Sequence, residues 1–276
     1  MMAARGAWRL IECGALGLLF LGGPRWISWP HDSRACGPDA VRAGSVCMDR
    51  YEASVWEVPA ANPSGASNRG LIGKIQKGRA QLADLTAGGA SQKGLSSGDY
   101  PCANDGHDCV GRIYAASIPG VTPSAYIAWF QAQQACANSG KRLPSNAEWQ
   151  MAVAGTPDGS AGDNGTTDCN TYSALTSVYT GSRSHCVSGW GASDMVGNVG
   201  EWVADWVPLS TACGSWTGSS NYQCLAGAAT TGEPGALIRG GDYGDADAAG
   251  PLAVIGVNPP SFSYFSGGSV GFRCAR

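Results

Sequence analysis

Charge is scarce in this chain: only 14% of its 276 residues are Asp, Glu, Lys or Arg, and the formal net charge is −3. Phosphate backbones are held by clustered Lys and Arg, so nucleic acid is not an expected partner. Histidine is rarer still. His31, His107 and His185 are the three in the chain, and they stand far apart. No two cysteines have the spacing Cys-x-x-Cys, so a structural zinc site lacks its ligand pairs. No Gly-x-Ser-x-Gly elbow comes with suitably placed His and Asp, which removes serine-nucleophile chemistry of the hydrolase kind. Apolar runs of membrane length are also missing. The longest, Leu10 to Gly23, is interrupted by Glu12 and falls short of the roughly 20 residues a helical span needs.

That short run instead reads as an export signal, with Arg5 and Arg9 as its basic start. Ser33-Arg-Ala35 has small residues suited to cleavage. The expected layout is therefore a signal and leader over 1–35 and one domain over 36–276. Its destination is the periplasm, the cell surface or the medium, with membrane attachment only through an uncleaved signal. Of the 11 cysteines, Cys13 falls in the signal and the other ten are read as disulfide staples of an oxidising compartment. Local spacing pairs Cys36 with Cys47, Cys102 with Cys109, Cys169 with Cys186 and Cys213 with Cys224, leaving Cys136 for Cys274. The 41 Gly and 10 Trp suggest loop-rich architecture pinned by buried indoles.

Two helices are predicted. The first starts at Thr122-Pro123, as N-cap and first helical residue, carries Tyr126, Trp129, Phe130, Gln133 and Cys136 at helical spacing, and stops at Gly140. The second opens with the capping box Ser145-Asn-Ala-Glu148 and ends by Gly155. Residues 59–112 are rich in Gly, Ser, Ala and Asn and read as an irregular insertion with one short helix near Lys74 to Leu85. The rest is strands and loops.

Four motifs follow in order: Lys141-Arg-Leu-Pro-Ser-Asn-Ala-Glu-Trp149, Gly191-Ala-Ser-Asp-Met-Val-Gly-Asn-Val-Gly-Glu-Trp202, Leu237-Ile-Arg-Gly-Gly-Asp242 and Gly271-Phe-Arg-Cys-Ala-Arg276. Together with the opening strand Val46-Cys-Met-Asp-Arg-Tyr-Glu-Ala53, they resemble the formylglycine-generating enzyme (sulfatase-modifying factor) family. The resemblance implies an α+β, C-type-lectin-like fold with two helices and short antiparallel sheets. It implies that the terminal strands pair, and that the first helix is bridged to the last strand, as Cys136–Cys274 would do. It also implies that the loop between the third and fourth motifs holds a reactive cysteine pair with copper.

Here that loop contains no Cys, His or Met, so no copper is expected and formylglycine synthesis lacks its thiols. Asn198 and Glu201 match a motif that helps form a calcium site in the family, which makes calcium the one cofactor to expect. The other reading is that Asn198 holds a turn and Glu201 makes a buried hydrogen bond or ion pair. Family members have a large aromatic where Gly200 stands. Arg239 and Arg273 read as structural guanidinium forks, and Trp149, Trp190, Trp202 and Trp206 as core.

Residues 242–270 have no Lys, Arg, Glu, Gln, Met or Trp. In this they resemble the variable region of diversity-generating retroelement proteins, whose codons are mutated at adenines. Such a loop suits recognition, because aromatics give contact area at little entropic cost. The candidate ligand-binding residues are Asp242, Tyr243, Asp245, Asp247, Ile255, Val257, Asn258, Phe262, Tyr264 and Phe265. The expected function is non-catalytic binding of a protein or glycan. A divergent sulfatase-modifying enzyme and a structural envelope protein are the alternatives.

Overall fold

The computed structural model describes residues 35–207, 234–263 and 268–276, together with the backbone of strands at Ser210–Ser215 and Tyr222–Ala228. The expected export signal with Cys13, and Tyr264 and Phe265, lie outside the described residues. So do the side chains of Cys213 and Cys224, which stand on those two strands.

Short strands β1 (Ala40–Ala43) and β2 (Val46–Asp49) form a hairpin. Its second strand meets the chain terminus. The N–H groups of Cys47 and Asp49 donate to the carbonyls of Arg276 and Cys274 at 3.0 and 2.9 Å. The terminal segments therefore pair as the family resemblance implies.

A three-stranded antiparallel sheet follows, with β3 (Ser54–Glu57) between β4 (Ser91–Lys93) and β5 (Ile113–Ala116). Because side chains alternate faces along a strand, Val55, Ile113 and Ala115 enter one core cluster while Trp56, Tyr114 and Ala116 enter another. The second of these clusters is closed by residues 59–112, which are more regular than their composition suggests. They contain two helices, α1 (Arg69–Gln76) and α2 (Leu82–Ala87), in place of the single one expected. Leu71, Ile75 and Leu85 anchor them, each contributing roughly 1.5–3 kcal/mol of burial.

The third helix, α3 (Trp129–Asn138), begins six residues later than Thr122-Pro123 predicts. The intervening backbone is spoken for by strands. Ser124 N–H donates to the Ala53 carbonyl and Ala125 N–H to the Gly94 carbonyl, both at 2.9 Å, and Tyr126 takes φ +53°. The helix is started instead by Gln131, whose Oε1 accepts the Ala128 N–H at 3.0 Å. The fourth helix, α4 (Asn146–Ala152), opens with the expected capping box: Glu148 N–H donates to Ser145 Oγ at 3.2 Å, and Ser145 N–H to Glu148 Oε2 at 2.8 Å.

The largest sheet has six strands. Its order is β11 (Val270–Phe272), β6 (Gly200–Val207), β9 (Gly235–Arg239), β10 (Val254–Asn258), β8 (Tyr222–Ala228) and β7 (Ser210–Ser215). It is mixed, since β11 runs parallel to β6 and β10 parallel to β8. Among the described residues, four disulfides join Cys36–Cys47, Cys102–Cys109, Cys136–Cys274 and Cys169–Cys186. The third ties α3 to the segment after β11. The architecture is thus α+β, disulfide-stapled, with the C-type-lectin-like features expected. No described helix is long and apolar enough to cross a membrane.

Candidate functional site

Between the third and fourth motifs, residues 240–263 leave the large sheet, return to it as β10, and leave again. The exit after β9 turns on Gly240 and Gly241, at φ +87° and +75°. A Cβ on Gly240 would lie 2.8 Å from the Met195 carbonyl oxygen, and one on Gly241 2.6 Å from the Ala249 Cα. The Gly-Gly pair therefore answers both a left-handed conformation and close backbone contact.

Residues 242–250 are then clipped to older parts of the chain by main-chain bonds. Tyr243 N–H donates to the Asn198 carbonyl (3.2 Å), Ala246 N–H to that of Thr171 (2.9 Å), and Gly159 N–H to that of Ala249 (3.2 Å). Asp242 and Asp245 cap this turn: Asp245 Oδ2 accepts the Asp242 N–H at 2.9 Å, and Asp242 Oδ1 accepts the Gly244 N–H at 2.7 Å. Burial, then the charge of Asp242, pushes the Asp245 carboxyl up to about 6. Burial also raises that of Asp242.

The predicted binding residues do not share one exposure. Asp247 and Phe262 are exposed, the latter at 40%. Asp242, Asp245, Ile255, Val257 and Asn258 are half-buried, Ile255 against the cluster around Phe272. Tyr243 is buried, which makes it a support of the turn more than a contact surface. Past β10, the Pro260 carbonyl accepts the Trp129 N–H at 3.0 Å, and Asn104 Nδ2 donates to Ser263 Oγ at 2.8 Å.

The Trp129 contact to Pro260 brings in an aromatic group the sequence did not assign to the site. Trp129, Phe130 and Trp206 meet edge to face with ring centroids 5.0–5.6 Å apart. Trp206 is 41% exposed, so it is not core; Trp190, at 43%, is not either. Trp149 and Trp202 are fully buried, as expected.

Asn198 and Glu201 lie beneath the segment and are engaged by protein groups. Asn198 Nδ2 donates to Glu52 Oε2 at 2.6 Å, and its Oδ1 accepts from Asn170 Nδ2 (3.1 Å) and Val178 N–H (2.8 Å). Glu201 accepts from Trp149 Nε1 at 2.7 Å and from Arg273 Nε at 2.8 and 2.9 Å. As arranged, these two residues do not fit a calcium ion. Their oxygens are saturated by donors, and a guanidinium sits where a second cation would have to approach. Two acids close to them in sequence are also hydrogen-bonded, Asp194 by Gly181 N–H and Asp205 by Asn146 N–H, both at 2.6 Å. The one group of close metal-type ligands among the described residues is Cys102, Asp108 and Cys109, whose two sulfurs are joined to each other.

Arg273 and Arg239 are the structural forks the sequence suggests. Arg273 also donates to the carbonyls of Ser193 (2.8 Å) and Asp49 (3.1 Å). Arg239 lies over the Trp149 ring at 4.6 Å and donates to Asn146 Oδ1, Gln150 Oε1 and the Pro251 carbonyl. Burial lowers its pKa to about 10.

A family model described as the sulfatase-modifying factor enzyme 1-like domain matches residues 100–276. The chain belongs to this family. A formylglycine-generating enzyme of Thermomonospora curvata is 32% identical over 101 residues, which cover 30% of this chain and 33% of that protein. The chain thus matches a third of that relative's length. Among solved structures, the Major Tropism Determinant U1 variant aligns with a TM-score of 0.45 at 17% identity, covering 88% of this chain and 53% of the other. Treponema denticola variable protein 1 aligns with a TM-score of 0.39 at 17% identity, covering 86% and 97%. Within the family frame, Gly200 takes the usual aromatic position because Ile238 fills the space: a Cβ there would lie 2.9 Å from Ile238 Cγ2.

Proposed function

We propose that this sulfatase-modifying factor 1-like domain is an exported, non-catalytic ligand-binding protein. Residues 242–265 form its binding face, and the partner is a protein or a glycan. One observation carries the reading. The segment where the family resemblance calls for a thiol pair contains no thiol, imidazole or thioether, while its described part is anchored at both ends and turns Asp247, Leu252, Ser261 and Phe262 to solvent. Such a loop can recognise but lacks the thiolate, thioether and imidazole ligands that hold copper. The described cysteines offer no substitute, because all eight are bridged. The relative's name keeps an enzymatic reading in view as the alternative, and it would need a redox centre elsewhere.

Two measurements test the proposal. Alanine at Phe262, Tyr264 and Phe265 together should leave the melting temperature nearly unchanged and abolish capture of glycans on an array or of protein on intact cells. Unaltered capture refutes the assignment of the face. Sequencing the DNA around the gene tests diversification. It should reveal a near-copy of codons 237–276 with adenines where the codons for Asp242, Tyr243, Ile255, Phe262 and Tyr264 differ, beside a reverse transcriptase. Absence of that copy leaves a fixed binder.

A further inference from the structure

A hollow of about 220 Å³ opens between the 3-10 turns Gly159–Ala161 and Ala246–Ala248. Gly159, Gly162, Asp163, Tyr172, Ala246 and Asp247 line it. One wall is the proposed binding segment. The other is a loop more than seventy residues upstream, to which no role has been given.

Both walls are built firmly. The main-chain bonds Ala246 N–H to Thr171 carbonyl and Gly159 N–H to Ala249 carbonyl hold them together. Asp163 organises the upstream wall: its Oδ2 accepts the N–H groups of Thr171, Tyr172 and Ser173 at 3.0, 3.1 and 2.9 Å, and its Oδ1 that of Gly165 at 2.9 Å. Burial opposes its ionisation, but these donors outweigh burial and hold the carboxyl well below the usual range. The Tyr172 side chain, in a residue 60% exposed, stands at the edge of the hollow.

The charge is one-sided. Asp163 and Asp247 are the ionisable acids of the lining, and no Lys or Arg lines it. Nor does the segment 242–270 contain one. The nearby His185 is directed to Asp168 at 3.2 Å. An aromatic wall beside two carboxylates suits a long aliphatic stem that ends in a cation, since the ring covers the stem and the carboxylates receive the head.

We infer that this hollow receives one Lys or Arg side chain of a protein ligand, with Tyr172 along its stem and Asp247 as the direct partner of its cationic head. Asp163, already surrounded by N–H donors, supplies field more than contact. The inference rests on the binding reading above and selects a protein over a glycan as the partner. It also extends the face beyond the C-terminal segment to residues 159–173.

The test uses the exported chain, labelled with nitrogen-15, and N-acetyl-arginine amide titrated into the millimolar range. Saturable shifts are expected at the amides of Gly162, Tyr172, Ala246 and Asp247, weakening as salt is raised. In Asp247→Asn, at an exposed position, binding should weaken roughly tenfold, the loss of one charge-assisted hydrogen bond. The citrulline analogue, equal in shape and uncharged, should not bind. Three results overturn the inference: no shifts at these amides, equal shifts with citrulline, or shifts there with methyl glycosides instead. Its failure is separable from that of the binding reading. If ligand capture still depends on Phe262, Tyr264 and Phe265 while the arginine probe does not bind, only the occupant of the hollow is wrong.

Discussion

Replacing Arg273 by Met should destabilise the domain more than any surface change, because the guanidinium neutralises a buried acidic cluster. Arg273 is fully buried and Glu201 is 1% exposed. Besides its contacts to both Glu201 oxygens, Arg273 reaches the Ser193 and Asp49 carbonyls. Without it, Glu201 keeps Trp149 Nε1 at 2.7 Å, and it faces the carboxyls of Glu52 and Asp194, whose protonation it already favours. Removing one member of a buried ion pair costs roughly 3–5 kcal/mol, since the remaining charge is stranded. In a domain of this size each kcal/mol moves the melting temperature by about 2–4 °C. A fall of roughly 10 °C is therefore expected. Thermal denaturation of the oxidised chain, followed by circular dichroism at neutral pH, measures it. The double variant Arg273→Met, Glu201→Gln removes the stranded charge and should be more stable than the sum of the single losses allows, by at least about 1 kcal/mol. A single-variant loss under about 1 kcal/mol, or strictly additive losses, would refute the view that the pair works as a unit.

Three further outcomes are expected. Burial pushes the Asp194 carboxyl up to about 6 and Glu52 well above the carboxylate range. Their contribution to stability is therefore complete below the unfolded value of about 4 and drains away as pH rises through the folded one. Urea denaturation across that window should show Asp194→Asn gaining on the parent as pH rises, and a constant difference would refute the assignment. Opening the Cys136–Cys274 bridge, which closes a separation of 138 residues, should cost about 4–5 kcal/mol by the chain-entropy estimate. The double serine variant in the same denaturation assay checks it. Peptide mapping without reduction should recover Cys213 and Cys224 as one cross-linked pair, since their strands β7 and β8 are neighbours with Ala212 opposite Ala226. Alkylation of either thiol in the native chain would contradict this.

What could be read in the sequence was whatever a local pattern or a compulsory pairing dictates. Ser145-x-x-Glu148 is a complete cap within four residues, so α4 needed no tertiary information. A buried guanidinium must find acceptors, so Arg239 and Arg273 were readable as structural forks, but not which acceptors each meets: Glu201 for Arg273, neutral oxygens for Arg239. The start of α3 was illegible for the opposite reason. Thr122-Pro123 is a sound helix signal, but the neighbouring Ser124 spends its Oγ on the Val55 N–H at 2.8 Å and on the Lys93 carbonyl at 2.6 Å. That ties the segment sideways to β3 and β4, and the longer-range bonds prevail. The order in residues 59–112 was hidden similarly, since their few apolar residues are out of phase until Leu71, Ile75 and Leu85 meet the far face of β3 and β5.

The proposed binding face is half suggested by the sequence, and the division has a physical basis. Its C-terminal half is proposed from composition, because composition is what a recognition loop displays. Its upstream half could not, since residues 159–173 are held beside Ala246 and Asp247 mainly by main-chain groups: the carbonyls of Thr171 and Ala249, and the N–H groups of Gly159 and Ala246. Such bonds place almost no demand on side chains and leave little trace in a single sequence. They also make the arrangement tolerant. A segment clipped to its neighbour through the backbone can change the exposed side chains at Asp247 or Phe262 without losing its position. The buried turn at Gly240 and Gly241 has no such freedom. Variation, if it is selected, should therefore concentrate at the exposed positions and spare that turn, so a set of natural variants with Gly240 and Gly241 freely replaced would argue against the whole scheme.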